Sequence, residues 1–133
     1  MSLESEVILA RYSTVEKEAD KLGRIIGVRR LKPSEQTKIS GMCSDLTGSE
    51  EVVADDTGEK IFIPHRMPLL IAASVCLIID YEGEKRIPFP RNRAELDAIY
   101  DRLDVEGLTA ASTAMGRLNQ TEKIVEPKDE AKN

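Results

Sequence analysis

The sequence predicts an α+β fold, a helix-rich single domain with two small antiparallel hairpins. Three observations predict it. The chain has 133 residues, room for one domain that buries roughly two-thirds of the surface its unfolded chain exposes. The β-branched run Val75 to Ile79 is followed by turn chemistry at Asp80-Tyr81-Glu82-Gly83 and a return segment from Lys85 to Phe89, the pattern of a hairpin. Asn92 with Glu95 three residues on places a capping pair ahead of Leu96, Ile99, Tyr100 and Leu103, whose spacing makes one apolar stripe of a helix.

The N-terminal segment, residues 1–13, suggests a short helix over Val7 to Tyr12. Residues 14–23 admit two readings. Ile8, Tyr12, Val15, Ala19 and Leu22 recur at helical spacing and end at Gly23, a C-cap position. The rival is a hairpin in which Thr14 to Ala19 is a strand, Asp20 to Gly23 the turn and Arg24 to Leu31 the return strand. Pro33 suits the first turn of a helix running to about Ser44, with Ile39 and Met42 inward. From Thr47 to Lys60 the composition turns to Gly, Ser, Asp and Glu, a long loop with room for an edge hairpin at Val52, Val53 and Ile61 to Ile63. Met67 to Ser74 reads as a buried helix. Pro88 and Pro90 end the return strand of the second hairpin and confine it to a sheet edge, because proline cannot donate to a ladder. After the helix begun at Asn92, a break at Asp104 to Gly107 leads to a last helix over Leu108 to Leu118. The domain therefore spans residues 14–118, and 119–133 reads as a disordered charged tail.

Composition narrows the function. Hydrophobic residues are 41% and charged residues 32% of the chain, with no Trp, three Tyr and two Phe, so the core is aliphatic and no stacking platform for single-stranded nucleic acid is available. A net charge of -5 also argues against nucleic acid as a partner, since phosphate neutralisation supplies most of that affinity. One basic stretch, Lys21, Arg24, Arg29, Arg30, Lys32 and Lys38, is read first as a solvated face. The acidic run Glu50, Glu51, Asp55, Asp56 and Glu59 pairs with that face or keeps its loop in water. Cys43 and Cys76 sit among apolar neighbours, as buried reduced thiols do. No signal pattern opens the chain, and the longest apolar run, Leu69 to Ile79, is far short of the roughly 20 residues that cross a bilayer. A cytoplasmic protein with no membrane partner is expected.

Catalytic, metal and cofactor sites are not predicted. His65 is the single histidine, and neither cysteine belongs to a C-x-x-C motif, so zinc spacing is lacking. Cys43 or Cys76 with His65 would need an accessible, thiolate-promoting setting, which the flanks of Cys76 do not suggest. Glu95, Asp97, Asp101, Asp104 and Glu106 alternate with Arg93 and Arg102, a solvated helix face with i,i+4 pairs rather than a carboxylate dyad. The glycines form no phosphate-cradling loop. The dense aliphatic stretch from Met67 to Ile79 is read first as core. The sharper reading leaves part of it, with Phe62 or Phe89, as a groove for an apolar partner helix. The candidate contact residues are Met67, Leu69, Leu70 and Phe89, with Arg29 and Arg30 from the basic strand.

Three stretches carry a resemblance. Asp20-Lys21-Leu22-Gly23-Arg24-Ile25-Ile26-Gly27-Val28-Arg29-Arg30-Leu31 is an Asp and Gly-Arg turn followed by a basic strand. Leu69 to Asp80 is an Ala-rich segment running into a Val and an Ile-Asp turn. Pro88, Pro90, Arg93, Glu95, Leu96, Arg102, Leu103, Gly107 and Ala110 form a proline-bounded strand, a helix and a Leu-x-x-x-Gly step into a final helix. In order and spacing from Arg24 to Leu118, the chain resembles the tail assembly chaperones of long-tailed bacteriophages and prophages. It departs at Asp80, separated from Gly83 by Tyr81 and Glu82, and in the longer acidic loop around Glu50 to Glu59. The resemblance favours the hairpin over the helix for residues 14–23. It implies a non-enzymatic morphogenesis factor in the cytoplasm of the bacterial host, absent from the mature virion. Such a factor binds the tape measure protein, recruits tail tube protein and leaves self-association as a further option.

Overall fold

The computed structural model describes residues 3–53 and 57–125. Helix α1 (Leu3–Ser13) is longer than expected. The Ser13 and Thr14 hydroxyls donate to Leu9 O and Ala10 O, both at 2.7 Å, and the chain then turns extended. Asp20 builds the first reversal of the chain. Its carboxylate accepts from the N–H groups of Leu22 at 3.0 Å and Arg24 at 2.8 Å and from Arg24 Nε at 2.7 Å, a side-chain-built turn. The residues on either side pair antiparallel as β1 (Val15–Ala19) and β2 (Ile25–Arg29). Residues 14–23 are the hairpin, not the helical stripe.

Lys32 gives way at Pro33 to α2 (Pro33–Met42), where Glu35 accepts the Lys32 N–H at 2.9 Å and takes both Arg29 Nη1 and Nη2 at 2.9 and 2.8 Å. The long loop with room for an edge hairpin does hold one, β3 (Ser49–Val53) and β4 (Lys60–Pro64), longer than the Val52, Val53 and Ile61 to Ile63 expected. It forms a separate two-stranded sheet. Helix α3 (Met67–Ser74) has the bounds expected and runs directly into β5 (Val75–Asp80). A two-residue turn at Tyr81 and Glu82 leads to β6 (Gly83–Arg86), which pairs with β5. The return strand stops short of Phe89: Ile87 N–H still donates to Cys76 O at 3.0 Å, and Pro88 has no donor with which to continue.

The two expected hairpins merge. β2 pairs antiparallel with β5, giving a four-stranded sheet in the order β1-β2-β5-β6, with an irregularity between Gly27 and Val28. Its inner face presents Ile26, Val28, Val75 and Ile78 to α3 and to α4 (Arg93–Val125), and these residues join Leu31, Ile39, Cys43, Leu69, Ala72, Leu96, Leu103, Ala111, Ala114 and Leu118 in one aliphatic core. Alanines line the helix faces, which lets helix and sheet backbones approach closely. At the rim of this face, α4 reaches back to edge strand β1: Arg117 donates to Glu16 at 2.9 Å, to Glu18 at 2.7 Å and to the Lys17 carbonyl.

Asn92 caps α4 by accepting the Glu95 N–H at 2.9 Å, but the Glu95 carboxylate takes the Arg91 N–H at 2.8 Å rather than closing a reciprocal box. The expected break at 104–107 narrows to one residue, Asp104, with φ 55 and ψ -168. The carbonyls freed there have a dedicated partner, since Arg24 donates to Arg102 O at 2.8 Å and to Leu103 O at 2.7 Å. Gly107 sits tightly beside it: a Cβ there would lie 3.0 Å from Arg24 Nη2 and 3.1 Å from Leu103 Cβ, so a larger residue would push on both. The second half of α4 continues through Val125, so residues 119–125, expected as the start of a disordered tail, are helical. The rest of that tail lies outside the described residues. No helix among the described residues is long and apolar enough to cross a membrane.

Candidate functional site

The reactive side chains are spent on structure or shielded. Cys43 is buried, and desolvation pushes its thiol up from the ordinary value. Cys76 is half-buried with Sγ 3.7 Å from Gly27 O, and burial raises its thiol too, against the opposing pull of Arg29, Arg86 and Lys17. Both shifts run opposite to what a nucleophile needs. His65 Nδ1 lies 2.9 Å from Thr47 O at the base of the β3–β4 hairpin. Among the described residues no group of His, Cys, Asp or Glu side chains is arranged to hold a metal ion, and no buried side-chain nitrogen or oxygen lacks a hydrogen-bond partner.

The charged residues singled out in the sequence are largely paired within the chain. Arg93 donates to Asp97 at 2.9 Å, Asp45 at 2.7 Å and Met42 O at 3.1 Å, tying the end of α2 to the start of α4. Arg91 pairs with Glu95 at 2.9 Å. In the basic stretch, Arg24 is held by Asp20, whose side chain is 0% exposed, and Arg29 by Glu35. A shallow cleft of about 280 Å³ beside the α4 break is lined by Tyr100, Asp101, Asp104, Val105 and Leu108, and it is open to solvent.

The predicted contact residues do not share one surface. Leu69 is only 4% exposed and belongs to the core, with Leu70 and Phe89 packed partly against it. Met67 is exposed at the start of α3. Arg29 grips Glu35, and Arg30 donates to Asn119 Oδ1 at 3.0 Å.

The apolar surface lies elsewhere. On α1, Val7, Ile8 and Leu9 are exposed, Leu9 by 58%. On the β3–β4 hairpin, Val52, Val53, Ile61, Phe62 and Ile63 are all exposed, Val53 by 55% and Phe62 by 67%. Large apolar side chains clustered this way mark interaction sites. The sequence holds a signal for the hairpin surface. Consecutive Ile61-Phe62-Ile63 puts apolar groups on both faces of a strand, a pattern suited to a strand covered on both sides, yet its two-stranded sheet covers neither. The chain matches no family model, no curated protein and no solved structure.

Proposed function

We propose that this protein is a tail assembly chaperone of a long-tailed phage or prophage. In this reading it binds the tape measure protein in the host cytoplasm, recruits tail tube subunits and leaves before the virion matures. The observation that carries the proposal is exposed apolar surface on α1, where Val7, Ile8 and Leu9 are all open to solvent on successive sides of the helix, as side chains awaiting a partner are. A long, mostly helical tape measure protein exposes apolar stripes and would aggregate without cover. Many copies of a small acidic protein, each binding weakly, would cover it reversibly through multivalency. Two of the stretches that carry the family resemblance also meet physically, the Asp20–Arg24 turn and the Leu103-to-Gly107 step, which fits a shared structural requirement.

A small cytoplasmic adaptor or regulator that meets nucleic acid or an acidic protein through the basic face Lys21 to Lys38 has less support, because Arg24 and Arg29 are engaged by Asp20 and Glu35. The test is co-expression with the tape measure protein, followed by affinity purification of wild type and of Ile8→Asp. Ile8 is exposed, so the substitution should leave thermal stability unchanged while weakening recovery of the tape measure protein by about tenfold. Recovery of neither tape measure nor tube protein with the wild-type chain contradicts the proposal.

A further inference from the structure

A cleft of about 340 Å³ opens at the root of the β3–β4 hairpin, lined by Ser44, Leu46, Thr47, Ser49, Pro64 and Arg66. Hydrogen bonds fix its frame. The His65 N–H donates to Gly48 O at 3.1 Å and His65 Nδ1 lies 2.9 Å from Thr47 O, pinning the two ends of the hairpin together. Arg66 O accepts the N–H groups of Leu69 and Leu70, both at 3.1 Å, which anchors Arg66 at the start of α3. A volume near the lower end of the roughly 300–1,000 Å³ typical of ligand pockets suits one residue of a peptide rather than a large cofactor.

The cleft is cationic, and its polar groups are idle. Arg24, Arg29, Arg91 and Arg93 are each held by a carboxylate. Among the described residues Arg66 meets none, and the hydroxyls of Ser44, Thr47 and Ser49 donate to no protein atom. Asp45 does not neutralise Arg66, being engaged by Arg93 at 2.7 Å. Burial raises the Cys43 thiol at the inner side of the cleft, and the Arg66 cation, with Arg93, draws it back, so the Arg66 charge is felt inside. A guanidinium with free donors takes a carboxylate bidentately, and Leu46 and Pro64 give that carboxylate an apolar wall for the group that bears it.

The hairpin continues the cleft outward. Directly paired residues share a face and alternate residues repeat it, so the rim pair Ser49 and Pro64 is followed on one face by Glu51 and Phe62, then by Val53 and Lys60. Phe62 and Val53, exposed by 67% and 55%, are the two most open apolar side chains of the hairpin. Both lie in line with the cleft. An apolar track that runs into a cationic cleft fits the end of a polypeptide chain, whose terminal carboxylate meets Arg66 while the residues before it lie along Phe62 and Val53. A free organic acid would leave the track bare.

We propose that the cleft at Arg66 binds the C-terminal carboxylate of a partner polypeptide whose last residues are apolar. The inference stands apart from the chaperone reading, since it names the chemistry at one end of a chain and not the protein that carries it.

The probe is the N-acetylated peptide Val-Lys-Val-Ile with a free C-terminal carboxylate, compared with its C-terminal amide, and the readout is the backbone amide NMR spectrum of the full isotope-labelled chain. The carboxylate form should shift Thr47, Gly48, Ser49 and Arg66 with a Kd of about 1 mM or tighter, and the amide should bind about tenfold more weakly. Arg66→Gln alters an exposed side chain, so its thermal midpoint should match wild type while its affinity for the carboxylate form falls about tenfold, to that of the amide. Arg66→Lys should recover part of the loss, as a point charge without the fork. Phe62→Ser should weaken the peptide and leave N-acetylisoleucine, which reaches only the cleft, unchanged. Equal binding of acid and amide, no shift at the cleft up to about 10 mM peptide, wild-type affinity in Arg66→Gln or Phe62→Ser, or inorganic phosphate binding as tightly as the peptide would each overturn the proposal.

Discussion

Arg24 holds more of this molecule together than its place in a surface turn suggests. Its guanidinium bonds the fully buried Asp20 carboxylate and also closes the carbonyl end of the first half of α4, with Gly107 leaving the room. Arg24→Ala would take the counter-charge from a buried carboxylate, leaving it only its two backbone N–H donors, and strand two carbonyls. The expected loss is about 3 kcal/mol, measured as a shift in the urea midpoint; a loss under about 0.5 kcal/mol would show that the node is ornamental. Glu35 acts through charge in a different window. The Arg29 guanidinium beside it holds its carboxyl below the usual carboxylate range, overcoming the opposing effect of burial, and the Lys32 N–H helps. Because the folded-state value is depressed, the stabilisation is complete above the ordinary carboxylate range and disappears as pH falls through the lowered folded value. Glu35→Gln should therefore flatten the acid side of the stability–pH curve and cost stability at neutral pH, as read by thermal unfolding from pH 7 to pH 3. At the two cysteines, where desolvation raises the thiols, iodoacetamide at pH 7 should label the native protein far more slowly than the unfolded chain. Fast labelling of Cys76 would reopen a nucleophilic role.

The two halves of α4 meet at Asp104, a non-glycine residue at φ 55 and ψ -168, a conformation that costs an L-residue on the order of 1–3 kcal/mol. Asp104→Gly should relieve that strain and raise stability by about 1 kcal/mol, read from the thermal midpoint, although the Asp104 carboxylate loses its bond from the Val105 N–H at 2.8 Å. A destabilised variant would mean that this bond outweighs the strain. Local chemistry makes several elements legible in the sequence. Asp20 writes its own turn, Pro33 starts α2, Asn92 caps α4, and the Met67-to-Ser74 run gives α3 with both its ends. What local pattern does not encode is which strands meet. The pairing of β2 with β5 joins residues about fifty positions apart, so the sequence reads as two separate hairpins although Ile25-Ile26 and Val75 to Ile79 are both apolar enough for central strands. Helix α4 runs past residue 118 through the exposed Asn119 and Gln120, where no apolar stripe announces it.

At the scale of the whole molecule, an aliphatic core under one sheet face is combined with two sets of exposed apolar side chains that the core does not need: Val7, Ile8 and Leu9 on α1, and Val52, Val53, Ile61, Phe62 and Ile63 on the β3–β4 hairpin. The stretch from Met67 to Ile79, read first as core and second as a groove, is core, with Leu69, Ala72, Ala73, Val75 and Ile78 all buried. Apolar density in a sequence reports what can be buried, not what is left over, so only exposure in the folded chain separates contact residues from core. The surplus surfaces fit a protein whose work is non-covalent cover of other chains. The most direct measurement is amide hydrogen exchange on the wild-type protein with and without purified tape measure protein. The account predicts slower exchange across α1 on addition, with the core strands β2 and β5 unchanged. Exchange along α1 that is the same in both samples would contradict it.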